Sequence, residues 1–315
     1  MKERLKSLFA RSKETLETRT TPPAFTRLAF YLAVAIGLLV LPVGLYFNQT
    51  PDRFSVASTE ATLIDQNIRP VVGTRSVATL SRLTASLLDK PGGYLSNDVL
   101  PPSVFMDNVP RWEFGVLVQC RDFARALRNT MSRSQSQSTE DQDLVTAENQ
   151  LYFDSQSWLI PQAESEYRKG IEALDRYLAR LGDDARPDAQ FYARADNLSI
   201  WLGEVETRLG SLSQRLSASV GKRQFYEARG STYAILHLLE AVDTDFADVL
   251  EKKNARVSLR QIIRELEPTQ DTVYSPMILN GGGFGVLANH SLVMASHISR
   301  ANAAMSDLRQ LLEQG

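Results

Sequence analysis

The sequence has a single cysteine, Cys120, among its 315 residues, so the chain cannot form an intramolecular disulfide. A small disulfide-stapled scaffold is therefore excluded, and a folded domain must be held together by packing. Cys120 lies in the apolar run WEFGVLVQC, where a buried hydrophobic role is the ordinary expectation for a free cysteine. The formal net charge is only −2, so no overall electric field attracts nucleic acid.

Motifs for catalysis and metal binding are also scarce. Only three histidines occur, at His237, His290 and His297, and none belongs to a His-Glu-x-x-His motif. The sequence contains no Gly-x-Ser-x-Gly nucleophile motif. The run NGGGFG at 280–285 lacks the Lys-Ser/Thr pair of a phosphate-binding loop, and we interpret it as a turn before the last helix. We therefore expect no metal and no cofactor.

One long apolar run is present, from Leu28 to Phe47, and it contains no charged residue. About 20 residues of helix, each rising about 1.5 Å, span the roughly 30 Å hydrocarbon core of a bilayer. The run therefore predicts a transmembrane helix at 28–47 that contacts the lipid bilayer. A cleaved signal peptide is the alternative, although such peptides have apolar runs of only about 7–15 residues.

Basic residues are concentrated on the N-terminal side of this apolar run. Seven Lys or Arg residues precede it, whereas Arg53 is the only one between positions 48 and 60. Because an excess of Lys and Arg in short flanking segments stays in the cytoplasm, we expect a cytoplasmic tail at 1–27. The large C-terminal part is then expected on the other side of the membrane.

Helical periodicity dominates the rest of the sequence, and no segment shows sustained alternation of apolar and polar residues. We predict an all-α protein with a single N-terminal transmembrane helix followed by a helical-bundle domain. Residues 48–72 are expected to form an exit linker and a first soluble segment, and residues 73–315 the helical domain. Gly221 and Gly230 are expected to bound a short helix.

A heptad stripe runs from Phe191 to Leu216, with apolar residues at spacings that alternate between four and three. A short connection precedes it, which favours an antiparallel helical hairpin at 162–219. The stripe is expected to pack inside one chain. Self-association into a homo-oligomer through the same stripe is the alternative.

The most irregular stretch is the long loop at 90–112, where prolines and glycines exclude a long helix or a regular strand. Because the loop is rich in apolar residues, including Val99, Leu100, Val104 and Phe105, we expect it to pack over the helices. Long packed loops often carry function. The predicted ligand or partner surface consists of Tyr94, Asn97, Asp98, Asn108 and Trp112.

Three acidic residues, Asp98, Asp107 and Glu113, lie in or beside this loop and are the candidate catalytic residues. A pair of carboxylates can cleave a glycosidic bond when the two groups face each other. The spacing alone does not show that these carboxylates face one another. Turn formation and helix capping explain Asp98 and Asp107 more simply.

The segment LLDKPGGYLSNDVLPPSVFMDNVPRWEFGVLVQCRDFARALR, at 87–128, resembles the signature segment of a bacterial family known only as domain of unknown function 2333. The runs SRSQSQSTEDQDL and SWLIPQAESEYRKGIEALDRYLARL are similar to the same family. The resemblance implies a membrane-anchored protein of Gram-negative bacteria whose large domain lies in the periplasm. It supplies no catalytic residues, and it implies that the polar insert at 132–143 is more than a neutral linker.

Together these features predict a single-pass inner-membrane protein with a periplasmic helical domain. The expected role is a non-catalytic scaffold or adaptor that binds a protein partner in the cell envelope. A periplasmic enzyme acting on peptidoglycan or another glycan is one alternative. A binder of lipid or small molecules, with an apolar pocket under the long loop, is the other.

Overall fold

The structure is a computed structural model that describes residues 24–65, 67–134, 139–183, 188–218, 222–272 and 290–314. Helices are the only regular secondary structure among these residues, which confirms the predicted all-α fold. The chain forms two compact units, Met1–Leu45 and Tyr46–Gly315. The predicted cytoplasmic tail lies almost wholly outside the described residues, and so does the NGGGFG turn.

The first helix, α1 (Ala24–Phe47), contains the predicted apolar span and begins four residues before it. It is long and apolar enough to cross a membrane, and none of its residues is buried by the protein. Pro42 lies inside the helix near its C-terminal end. Such a proline is tolerated more readily in membrane helices than in soluble ones.

Ten further helices are described in the second unit, joined by two 3₁₀ turns (Ser103–Phe105 and Glu267–Gln270) and a π-helical turn (Leu127–Met131). They are α2 (Val56–Asp65), α3 (Thr74–Asp89), α4 (Asn108–Ala126), α5 (Gln142–Leu151), α6 (Ala163–Leu181), α7 (Ala195–Ala218), α8 (Lys222–Asp245), α9 (Ala247–Lys252), α10 (Arg256–Leu266) and α11 (His290–Glu313).

Helices α4 and α8 form the centre of the domain and pack more extensively than other pairs. They approach closely at two glycines, because a Cβ built at Gly230 would lie 2.0 Å from the Trp112 carbonyl oxygen, and one at Gly115 would lie 2.2 Å from that of Glu227. The expectation that Gly230 ends a short helix is therefore wrong. Its missing side chain instead lets two continuous helices touch.

The directions of the helices follow from contacts between side chains. Ser231 Oγ donates to the Gly115 carbonyl oxygen at 3.3 Å, and Arg223 lies 3.5 Å from Asp107, so α4 and α8 run parallel. Arg168 pairs with Asp89 at the end of α3, while the middle of α6 contacts the middle of α3, so these two run antiparallel. We call the end where α3 finishes and α4, α6 and α8 begin the loop end of the domain.

The heptad helix α7 packs chiefly against α11, while α6 packs chiefly against α5 and α3. The predicted hairpin of two helices at 162–219 is therefore not the pairing in the fold. Residues 189–194 are not helical, and the Tyr192 amide donates to the Met131 carbonyl oxygen at 2.6 Å. The segment between α6 and α7 therefore packs beside Met131, and α7 begins after it at Ala195.

The leucines of the heptad stripe are buried inside the chain, among them Leu198, Leu202, Leu209 and Leu216. They belong to the same hydrophobic core as the buried face of α11. This matches the expected intramolecular packing. The stripe is thus covered by other residues of the same chain.

The segment at 48–72, for which we predicted an exit linker followed by a first soluble segment, packs against the helical domain from Asp52 onward. Val56 and Leu63 on α2 are buried, and the Phe54 amide donates to Nε2 of His237 at 3.2 Å. The Tyr233 hydroxyl donates to the Asp52 carbonyl oxygen at 3.0 Å. The chain therefore joins the domain within a few residues of the end of α1.

Candidate functional site

The connection between α3 and α4, residues 90–107, is held by an ion pair in the interior of the domain. Lys90 Nζ lies 2.6 Å from Glu113 Oε1, and both side chains are fully buried. The Leu95 amide donates to Glu113 at 2.8 Å, and the Ser96 hydroxyl donates to its other oxygen. Lys90 also donates to the Gly93 carbonyl oxygen. We call residues 90–107 the braced loop because the first half is fixed by these bonds.

Burial raises the pKa of Glu113, because the ionised carboxylate loses its contact with water. The charge of Lys90 and the hydrogen bonds from Lys90, Ser96 and Leu95 oppose that rise. The carboxylate therefore has several partners inside the protein and no contact with solvent. This environment suits a structural role for Glu113.

Aromatic rings fill the space beneath the braced loop. Tyr94 packs edge-on against Tyr167 with ring centroids 5.5 Å apart, and Trp112 packs against Tyr233 at 5.2 Å. All four rings are buried. The predicted ligand surface is thus internal at Tyr94 and Trp112, and the hypothesis of an apolar pocket under the loop receives no support there.

The three candidate carboxylates occupy different environments. Glu113 is buried with Lys90, whereas Asp98 and Asp107 are exposed to solvent. Asp107 lies 3.5 Å from Arg223 in an exposed ion pair. The arrangement brings Glu113 to a lysine and not to a second carboxylate. Glu113 therefore does not form the facing pair of carboxylates that glycoside hydrolysis requires.

The second half of the braced loop exposes apolar side chains, although the sequence predicted that they would be packed. Leu100, which precedes the 3₁₀ turn Ser103–Phe105, is 72% exposed, and Phe105, the last residue of that turn, is 79% exposed. Val99 and Val104 are also exposed. The physical reason is that the 3₁₀ turn is short and lies beyond the buried anchoring residues, so its side chains have no helix to cover them. Exposed apolar clusters of this kind mark interaction surfaces.

A second loop, at residues 152–162, adds three exposed apolar side chains beside the first. It contains the corner Trp158-Leu159-Ile160, with Ile160 98% exposed. Asn97 ties the two loops together, since its amide donates to the Ser157 carbonyl oxygen and to Glu164, each at 2.8 Å. Asn97 is buried and holds the two loops together, whereas Asn108 is half-buried at the start of α4.

We call the exposed side chains of both loops the apolar patch. Its members are Val99, Leu100, Val104, Phe105, Trp158, Leu159 and Ile160. A signal for the second part was present in the sequence, because three consecutive apolar residues precede Pro161 at a corner between helices. The exposure of the residues from the braced loop could not be predicted in the same way. It depends on the point at which the loop leaves the surface of the helices, and the sequence pattern does not show that point.

The polar insert at 132–143 is described except at 135–138, and its C-terminal part is fixed to the domain. Asp141 caps α5 by accepting from the amides of Asp143 and Leu144. Arg180 pairs with Asp141 at 2.8 Å and with Asp143 at 2.9 Å. These bonds line an open polar cavity of about 470 Å³. Asp141 and Asp143 therefore neutralise the charge of Arg180 at this cavity.

Two further reactive side chains, His237 and Cys120, are engaged in packing. His237 stacks on Phe54 with ring centroids 4.0 Å apart, and burial lowers the pKa of His237 to about 4. Cys120 is buried, and burial raises the pKa of its thiol to about 12. No group of three or more His, Cys, Asp or Glu residues suited to a metal ion occurs in the part of the chain that the structure describes.

The braced loop and the rest of the chain match the sequence profile of a family described as an uncharacterised protein conserved in bacteria, domain of unknown function 2333. The match covers residues 23–225 and 222–315. The chain belongs to this family. No curated protein and no solved structure matches the chain.

Membership of domain of unknown function 2333 confirms the resemblance seen in the segment at 87–128. The matched region begins one residue before α1 and continues through α11. The apolar helix, the braced loop and the helical domain therefore belong to one family unit.

Proposed function

We propose that this protein is a single-pass inner-membrane protein whose helical domain lies in the periplasm and acts as a non-catalytic adaptor for envelope machinery. The proposed location in the membrane is supported by α1, a 24-residue apolar helix with no residue buried by the protein. Such a helix is stable in lipid because its backbone groups are satisfied within the helix. The concentration of basic residues before α1 supports a cytoplasmic N-terminus.

The adaptor role is supported by how the charged side chains of the domain are used. Glu113 and Lys90 hold the braced loop, Asp245 accepts from the Ser76 amide at 2.8 Å, and Arg208 pairs with buried Asp122 at 2.8 Å. Each of these contacts fixes one helix or loop to another. These charged groups stabilise a rigid domain, and a rigid domain can present a fixed surface to other molecules.

The orientation can be tested with reporters fused to the C-terminus of the full chain. Alkaline phosphatase becomes active only in the periplasm, whereas green fluorescent protein exported through the general secretory route does not fluoresce there. We expect an active phosphatase fusion and a dark fluorescent fusion. The opposite pair of results would place the domain in the cytosol and contradict the proposed address.

The signal-peptide alternative is tested by the mass of the mature protein. An uncleaved anchor predicts that the membrane-bound protein retains its N-terminal tail and requires detergent for release. A shorter, soluble product in the periplasmic fraction would contradict the proposal.

The adaptor role itself is tested by crosslinking and mass spectrometry in native membranes. The matched control is a chain with residues 1–50 joined to an unrelated periplasmic domain. We expect reproducible protein neighbours that are crosslinked to the full chain and lost with the control. If both chains recover the same neighbours, the helical domain does not select partners and the adaptor role is wrong.

A further inference from the structure

The apolar patch lies at the loop end of the domain, which is also where the chain leaves α1. The braced loop follows α3 and leads into α4, while the corner at 158–160 leads into α6. Asp89 at the end of α3 pairs with Arg168 in the first turns of α6 at 3.1 Å, which places both connections at one end. The seven side chains of the patch therefore share the loop end.

The last residue of α1 touches the start of the braced loop. A Cβ built at Gly92 would lie 2.7 Å from Cγ of Phe47, so the aromatic ring packs directly on the glycine. Gly92 also has a φ of +85°, a conformation that favours glycine. Phe47 and the braced loop belong to the same compact unit. If α1 crosses the bilayer, Phe47 marks the depth at which the chain reaches the membrane surface.

We propose that the apolar patch inserts into the interfacial layer of the bilayer beside the exit of α1, so that the domain rests on the membrane at a second place. The proposal rests on α1 crossing the bilayer, but it does not depend on which side the domain occupies or on the adaptor role. The occupant is lipid, because the Phe47–Gly92 contact holds the loop at the membrane surface.

The composition of the patch suits the boundary between headgroups and acyl chains. Trp158 and Phe105 are aromatic, and aromatic side chains favour the membrane interface. The other members are aliphatic, and surfaces of this kind bury about 5–10 Å into the boundary layer. The exposed charges nearby include Asp98, Asp154 and the ion pairs Asp107–Arg223 and Asp89–Arg168. This set has no excess of basic charge that would attract anionic lipid. The contact is therefore apolar and should be nearly independent of salt.

The structure supplies a control position at the opposite end of the domain. Val257 is 73% exposed, which matches Leu100 at 72%. It follows Arg256, whose guanidinium pairs with Asp243 at 2.8 Å near the C-terminal end of α8. At about 1.5 Å per residue, this part of α8 lies roughly 30 Å from the loop end.

The test uses the full chain reconstituted in vesicles of phosphatidylethanolamine and phosphatidylglycerol. Because Cys120 is fully buried, a cysteine introduced on the surface is the accessible thiol for labelling. A nitrobenzoxadiazole probe is attached to Leu100→Cys, Phe105→Cys, Ile160→Cys or Val257→Cys. We expect nitroxide-labelled lipid to quench the three patch probes at least about two-fold more strongly than the Val257 probe, at low and high salt alike.

Equal quenching at all four positions would overturn the proposal, and so would a patch signal that high salt removes. A photoreactive group at position 105 gives a further outcome in native membranes. Crosslinks to lipid support the bilayer as occupant, whereas crosslinks to protein at the expense of lipid would assign the patch to a protein partner and overturn the proposal.

The unmodified chain provides a second measurement that needs no labelled variant. Its three tryptophans are Trp112, Trp158 and Trp201, and of these only Trp158 is exposed. We expect brominated phospholipid to quench part of the tryptophan fluorescence of the wild-type protein, and Trp158→Phe to remove that part. Wild-type fluorescence that brominated lipid leaves unchanged would overturn the proposal. Failure of the adaptor experiment would leave this result unaffected.

Discussion

Replacing Glu113 by glutamine would remove the negative charge that faces Lys90 in the interior. The two side chains are 2.6 Å apart and fully buried, so water cannot replace the lost partner without opening the loop. The amide oxygen of the new glutamine could still accept a hydrogen bond from the Leu95 amide, which Glu113 accepts at 2.8 Å. The substitution therefore tests the charge more than the hydrogen bond.

The expected loss of unfolding free energy is about 3 kcal/mol, because breaking a buried ion pair by removing one partner typically costs roughly 3–5 kcal/mol. The double variant Lys90→Met/Glu113→Gln has no buried charge at this place. It loses the bond from Lys90 to the Gly93 carbonyl oxygen, for which about 1 kcal/mol is expected. The double variant should therefore be more stable than Glu113→Gln by roughly 2 kcal/mol.

The measurement is urea unfolding of the detergent-solubilised protein, followed by the fluorescence of its buried tryptophans. Asp107→Asn is the matched control, because Asp107 pairs with Arg223 near the same loop at 3.5 Å but both side chains are more than half exposed. Exposed pairs contribute only about 0–1 kcal/mol, so this variant should be nearly as stable as the wild type.

Two results would refute this reasoning. The first is a Glu113→Gln variant that is no less stable than Asp107→Asn. The second is a double variant whose loss equals the sum of the losses measured separately for Lys90→Met and Glu113→Gln, since independent sites are additive and coupled sites are not. Either result would mean that the ion pair does not fix the braced loop.

Three further predictions concern the core of the domain. Gly230→Ala should destabilise the protein by roughly 1–3 kcal/mol in urea unfolding, because its Cβ would lie 2.0 Å from the Trp112 carbonyl oxygen. Gly210→Ala, where the nearest atom lies 3.6 Å away, should be neutral or stabilising, and equal losses at the two sites would contradict the close helix contact. The pKa of His237 is lowered from 6.5 to about 4 in the fold, so its contribution to stability is present above pH 6.5 and is lost as the pH falls toward 4. His237→Gln should flatten the pH dependence of the unfolding free energy in that window, and an unchanged slope would disprove the assignment. The Cys120 thiol, with its pKa raised to about 12, should react with a thiol reagent only after denaturation, and rapid labelling of the native protein would contradict its burial.

Several features of the fold were predictable because they depend on residues close together in the chain. The apolar run at 28–47 lies within α1, and the periodic segments became helices, since helix formation is a local property. The end of α3 at Asp89 also agrees with the predicted start of the long loop at residue 90, because Lys90-Pro91-Gly92-Gly93 cannot continue a helix.

The features that failed to follow from the pattern involve residues far apart in the chain. Gly230 was expected to end a helix, but in the fold it accommodates the Trp112 carbonyl oxygen from another helix. The heptad stripe was placed in a hairpin with its neighbour, yet α7 packs on α11 after the chain has crossed past Met131. Periodicity shows that a face is apolar, but it does not say which helix covers that face.

The sequence alone determined the membrane-spanning potential of α1, its charge asymmetry and the helical character of the domain, because each depends on composition or on spacing within a few turns. Only the tertiary structure decided that Glu113 meets Lys90 inside the protein and that Leu100 and Phe105 remain outside. Burial is a property of the assembled helices, since a side chain is covered or exposed according to which distant element reaches it. Glu113, a catalytic candidate by sequence, therefore stabilises the braced loop in the structure. Leu100 and Phe105, which were expected to be packed, lie on the surface.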